Sequence, residues 1–264
     1  MTKVKDVFEY LNGLAPTALK MDFDNVGLLV GNEDAEVSKI LVALDITDVV
    51  IDEAISCGAE LIVSHHPIIF DAMKDVLYSD LVGRKIVKLI KNDISAICMH
   101  TNLDIAEGGV NDALMKALGG VSATYLEYTG TDANGVKQGC GRVGELESEM
   151  PLPEFLEKCK TALGSNGLRY FDAGLKVKKL AVMGGSGGNE VTLAKAAGCD
   201  TYVTADVKYN NFLDAKELGI NLIDADHFCT ENVIVPVLCD KLKAQFNACE
   251  MKISEKHCQT AQFF

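Results

Sequence analysis

Between Ser38 and His100 the chain alternates two kinds of segment. SKILVALD (38–45), the run from Glu60 to Ser64 in ELIVSHHPIIF, and ISAICMH (94–100) are short and continuously apolar. Between them lie TDVVIDEAISCG and DLVGRKIVKLIKN, whose apolar residues recur at helical spacing. Thr47 supplies an N-cap and Gly58 a stop for the first helix. Strands that are apolar on both faces belong to sheets covered by helices, and the crossovers joining them are right-handed. The pattern predicts an α/β fold with a mostly parallel sheet.

The second half repeats the theme. KLAVMGG from Lys179 echoes KILVALD from Lys39, and LAKAAGCDTYVTAD echoes EAISCGAELIVSHH at the same offset of 140 residues, aligning Gly58 with Gly198 and His66 with Asp206. ISAICMHT and INLIDADH correspond at a shorter spacing. Two related α/β units follow, and the cleft between such units is the expected ligand site. From about 120 to 150 glycine, threonine and charge dominate, and the alternation in GCGRVGELESE predicts an antiparallel strand or ribbon. We place the first unit at 1–125, joined by the C-terminal segment 226–264, and the second at 126–225. The last helix is expected over Thr230–Phe246, ahead of a short strand near EMKIS.

Composition narrows the function classes. With a formal charge of −13 over 264 residues, the chain is poorly suited to a nonspecific hold on nucleic acid or an anionic membrane. The opening MTKVKDVFEYLNGL reads as an amphipathic helix rather than a signal peptide, and no apolar run reaches the roughly 18 residues of a membrane span. Nine cysteines, an odd number without a CxxC, read as reduced core thiols of a cytoplasmic protein.

Chemistry gathers at strand ends, where open α/β sheets bind ligands. His65 and His66 close one strand, His100 and Asp104 follow another, and Asp226, His227 and Glu231 follow a third. His227 and Glu231, four apart, share one helix face. A lone histidine at a strand end is more often a satisfied polar group than a ligand. Two adjacent ones, with a His-x-x-x-Glu pair at a second strand-to-helix junction, favour metal. Imidazoles mixed with carboxylates suit Zn, Mn, Fe, Co or Ni better than Ca or Mg. Five or more ligands exceed one tetrahedral ion and suit two divalent ions about 3.5–4 Å apart. Gly184–Gly188 follows a strand and could hold an anion on its amides, or serve only as a tight turn. Lys208 and Tyr209 could meet a nucleotide, Asp24 and Asn25 are polar loop residues near the cleft, and Glu107 is a candidate general base. His257 reads as a surface residue.

DNVGLLVG, SHHPIIF, HTNLDIAEGGVNDAL and DADHFCTE, in this order from Asp24 to Glu231, resemble the NIF-three-like family, whose members are called GTP cyclohydrolase I type 2 homologues. The resemblance implies two similar α/β units, a toroidal homohexamer and a dinuclear metal centre facing an inner cavity. It implies His65, His66, Asp104, His227 and Glu231 as metal ligands, Glu231 touching both ions, with His100 beside them or facing the substrate. Phe23 stands where many relatives have tryptophan, and Asn210 where many have histidine. The expected activity is metal-dependent hydrolysis of a nucleotide or similar small molecule. The rival expectation is a ring that holds metal and binds a protein or nucleic-acid partner without turnover.

Overall fold

The computed structural model describes residues 1–131, 135 and 137–263. Two compact units emerge: Met1–Ala106 with Val235–Cys258, and Glu107–Ile234 with the residues from Gln259. In chain order the first contributes α1 (Val4–Leu14), β1 (Gly27–Val30), β2 (Lys39–Ala43), α2 (Asp48–Cys57), β3 (Leu61–Ser64), α3 (Leu81–Lys91), β4 (Ser95–Cys98) and the short α4 (Thr101–Ile105). The second opens with α5 (Val110–Ala117) and a long ribbon of β5 (Gly120–Thr131) and β6 (Lys137–Met150). Residues 132–134 and 136 of the expected ribbon lie outside the described residues. Then come α6 (Leu152–Leu163), β7 (Arg169–Phe171), β8 (Val177–Val182), α7 (Val191–Ala196), β9 (Thr201–Thr204), α8 (Tyr209–Leu218), β10 (Asn221–Asp224) and α9 (His227–Glu231). The chain closes with α10 (Ile234–Gln245) and β11 (Glu250–Ile253).

The local chemistry explains these limits. Thr47 accepts the Val50 amide to start α2, and Gly58, at φ 72°, ends it in the left-handed conformation that costs glycine nothing. Asp80 takes the amides of Val82 and Gly83 at the head of α3. Strands β2, β3 and β4 bury Leu41, Ile62 and Ala96 against Val50, Ile51 and Ala54 of α2 and Ile86 and Leu89 of α3. Truncating one such leucine to alanine costs about 2–5 kcal/mol. The second unit has its own core, in which Phe155 and Cys159 of α6 join Leu180, Val182, Val203 and Ile223 of the sheet.

Both sheets share one plan. The first runs β1-β4-β3-β2-β11, parallel except for β1 against β4. The second runs β5-β6-β8-β9-β10-β7, with a parallel centre of β8, β9 and β10 and antiparallel β6 and β7 on either side of it. The succession α1-β1-β2-α2-β3-α3-β4 is therefore matched by α6-β7-β8-α7-β9-α8-β10, and in each the first strand lies antiparallel to the last. Register repeats as well: Val42 pairs with Val63, and Val182 with Val203, preserving the 140-residue offset. In both units the strand ends that carry chemistry are therefore carboxyl ends of parallel strands.

Two expectations are corrected. The last helix is not continuous from Thr230 to Phe246: α9 ends at Glu231 and α10 begins at Ile234. Pro236 is the reason. Within an unbroken helix it would remove a hydrogen bond and clash with the carbonyl four residues back, whereas in the first turn of a new helix it is tolerated. His257 is not a surface residue: it is half-buried, and its Nδ1 accepts the Leu44 amide at 2.9 Å. All nine cysteines are free thiols, and among the described residues no helix is long and apolar enough to cross a membrane.

Candidate metal centre

In the first unit, β2 and β3 end level, with Ala43 beside Ser64, and β4 ends opposite Ser64 at Cys98. The residues just beyond these ends must therefore converge. His65 is fully buried and gives its Nδ1–H to the Met99 carbonyl at 2.8 Å. A carbonyl can only accept, so the proton sits on Nδ1 and the lone pair of the neutral ring on Nε2. His66 has its Nδ1 2.7 Å from Asp45, and His100 has its Nδ1 2.8 Å from Asp24. The three rings lie 5.0–5.5 Å apart, and one ligand atom from each falls within 4.8 Å of the others. Asp104, on α4, brings Oδ1 to 3.7 Å from His65 Nε2. Burial would push the Asp24 carboxyl up, but His100 and the hydroxyl and amide of Thr101 together hold it well below the usual carboxylate range. Asp24 is thus a buried anion that fixes the orientation of His100.

The second unit gathers the other donors. Asp226 adopts φ 73°, ψ 137° and caps α9 by accepting the Cys229 amide. A non-glycine residue at positive φ is uncommon, and such strain concentrates at functional sites. Asp206, also at positive φ (52°), holds His227 Nδ1 at 2.8 Å, and Glu231 lies 3.1 Å from His227 Nε2. Burial pulls His227 down, yet Glu231 and Asp206 outweigh it and carry the ring up to about 9.

Gly184–Gly188 packs against this pair. Gly184 donates to the Asn111 side chain, Gly185 to Thr230 Oγ1 and Gly187 to the Gly185 carbonyl, so these amides are engaged within the protein rather than presented to an anion. Gly185 sits at φ 66°, and a Cβ there would collide with the Glu231 carboxylate. The glycine is needed for Glu231 to approach the turn.

His65, His66, His100 and Asp104 meet in the first unit, and His227 and Glu231 in the second. Each of the four histidines has Nδ1 on a carboxylate or carbonyl, which presents Nε2 as the metal-facing atom. Imidazoles with carboxylates are donors suited to a borderline divalent ion, and His227, raised to about 9, must give up its Nε2 proton to act as one. Glu107 is exposed and lines a cavity of about 480 Å³ with Asp112, Tyr125 and Arg142 of the same unit. Asn25 ties its side chain to the Ile69 carbonyl, and Tyr209 is 79% exposed. Asp45 went unread in the sequence, and Asp206 was seen only as the repeat partner of His66. Both are acids just past the end of a strand adjacent to the histidine-bearing one, a signal that the strand pattern contained.

The family model for Duf34/NIF3 (NGG1p interacting factor 3) matches residues 2–260. A Clostridium acetobutylicum protein named GTP cyclohydrolase 1 type 2 homolog is 41% identical over 243 residues, 91% of this chain and 90% of its own. A namesake from Clostridium perfringens is 39% identical over 247 residues, 93% of each. Among solved structures, a Bacillus cereus protein related to NIF3 superposes with a TM-score of 0.92 at 27% identity, covering 100% of this chain and 99% of that one. With the fold, the motifs and nearly the whole length in agreement, the chain belongs to the Duf34/NIF3 family.

Proposed function

We propose that this protein is a cytoplasmic metal-dependent hydrolase acting on a nucleotide or similar small molecule. His65, His66, Asp104, His227 and Glu231 would hold two divalent ions of the Zn, Mn, Fe, Co or Ni class. The observation that carries the reading is the set of acceptors behind the imidazoles: Met99 O, Asp45 and Asp206 each fix one ligand ring. Support of this kind orients metal-binding histidines and raises their basicity. The GTP cyclohydrolase 1 type 2 homolog name of the clostridial relatives supplies the substrate class.

When bound, the two ions supply Lewis-acid polarisation of the scissile bond and lower the pKa of a water toward neutrality. The chain's own residues do the rest. Gly185 lets Glu231 sit close to the turn. Asp24 holds His100 by Nδ1, so His100 meets the reacting molecule through Nε2 and can pass a proton there. Glu107, exposed and carboxylate-bearing, is proposed as the general base. A toroidal homohexamer is the proposed assembly, and native mass measures it.

The competing reading is a metal-holding ring that binds a partner without turnover, and the family description, NGG1p interacting factor, favours it. The charge of −13 weighs against nucleic acid as that partner. Purified protein should carry about two ions per chain by elemental analysis. Reconstituted protein should turn over GTP, a phosphodiester or a small amide, with His65→Ala and Glu231→Ala abolishing the rate. A rate that survives both substitutions overturns the hydrolase reading, and a folded protein without turnover on any of these favours the partner-binding one.

A further inference from the structure

Two large aromatic rings stand in solvent beside the first unit's histidines. Phe23 is 64% exposed and Phe70 45% exposed. Their centroids are 6.2 Å apart at an interplanar angle of 57°, and Phe70 meets the His100 ring edge-on at 6.1 Å. Scattered exposed phenylalanines need no explanation, but a contiguous pair against a cluster of polar donors does.

The backbone beneath the pair is anchored at several points. Asp24, next to Phe23, is buried and takes hydrogen bonds from His100 and Thr101. Asn25 donates to the carbonyl of Ile69, next to Phe70, at 2.7 Å and so ties the two loops together. The rings are thus held in place without being covered. Because they tilt rather than stack, each ring leaves part of its face exposed, and a flat molecule can lie against it, an arrangement aromatic groups favour.

The chemistry at the rim narrows the occupant. Asp22 and Asp71, the chain neighbours of the two rings, are exposed carboxylates, while the nearby Lys20 ammonium is engaged by the Asp24 carbonyl at 2.7 Å. Two copies of this face brought together would confront like charges. A ring that carries N–H donors on its edge suits both the exposed aromatic pair and the carboxylates that flank it in the chain.

We propose that Phe23 and Phe70 bind the amino-bearing heteroaromatic ring of the substrate, while His100 faces its reacting end. The placement of the reacting end rests on the hydrolase reading; the ring contact does not. Phe23 and Phe70 would then decide specificity for ring-bearing molecules.

The chain has no tryptophan, so Phe23→Trp installs a single reporter at an exposed position. Guanosine 5′-monophosphate should quench its emission saturably, with and without chelator, and ribose 5-phosphate should not. Tyr170→Trp, at another exposed position, should show no saturable change with either. Adding Phe70→Ala to Phe23→Trp should weaken the nucleotide's apparent Kd about tenfold, the share of one stacked ring. Quenching by both compounds, by neither, or to the same extent in the Tyr170→Trp control overturns the proposal. So does a change in native mass for the double variant Phe23→Ala/Phe70→Ala, which would make the pair an assembly contact. Absence of bound metal alongside ring-specific quenching would sink the hydrolase reading and leave this one standing.

Discussion

His65 gives its Nδ1–H to the carbonyl of Met99 at 2.8 Å, and the acceptor belongs to the backbone rather than to a side chain. No single substitution removes that acceptor, so the tautomer of the most buried histidine is set by the strand framework itself. The ring beside it is held differently, by the side chain of Asp45.

That contrast yields the first prediction. Asp45→Asn keeps every proposed ligand but replaces the anion behind His66. Metal affinity, read by chelator competition, should fall about 10–100-fold. The far-ultraviolet circular dichroism should not change, because Asp45 is a half-exposed residue beyond the end of β2. Unaltered affinity would show that the carboxylate does not support a ligand.

Gly185 offers a second. Alanine there must adopt φ 66° and push the Glu231 carboxylate aside. The backbone strain costs about 1–2 kcal/mol, measurable by urea unfolding. Metal affinity should drop with it, by roughly tenfold or more, because Glu231 is displaced. Gly174→Ala, at φ 74° with nothing near the added Cβ, should pay the backbone strain alone and keep its metal affinity.

Acid stability should follow Glu53. Burial favours its neutral form, but Ser254, the Glu255 amide and Lys252 overcome that and lower its pKa from 4.5. A carboxyl lowered on folding contributes stability that is complete above its unfolded value and is lost as pH falls through the folded one. Stability should therefore decline below about pH 4.5. Glu53→Gln should flatten that limb while costing about 2 kcal/mol at neutral pH, by denaturation across a pH series.

In the second unit, Arg142 pairs with both oxygens of Asp112 at 2.9 Å and lies 4.7 Å above the Tyr125 ring. Lysine cannot reproduce that fork or its planar stacking. Arg142→Lys should lower stability by about 2 kcal/mol, whereas the exposed Tyr209→Ala should stay within roughly 0.5 kcal/mol, both read by urea unfolding.

Much of this was readable because parallel strands buried on both faces leave an unbroken apolar signature. KILVALD and ELIVSHH could hardly be anything else, and the echo at 140 residues reappears as a shared register at Val42–Val63 and Val182–Val203. What periodicity could not show was anything decided by a single backbone group. Helix α4 is five residues long, too short for an amphipathic pattern, yet it positions Asp104. The break before α10 was signalled by Pro236, whose effect depends on where in a helix it falls. His257 reads as a surface residue in the sequence because its partner, the Leu44 amide, lies 213 residues away.

Strand β11 pairs Glu250–Ile253 with Lys39–Val42 and so covers one edge of the first sheet. Nearly all of the second unit is translated before this strand exists. A ribosome that has delivered everything up to α9 has therefore made a first unit with β2 still bare along one side, a template for pairing with other nascent chains. Premature termination between α9 and β11 would leave that edge permanently open, so truncated products should aggregate even though every proposed metal ligand is already present in them.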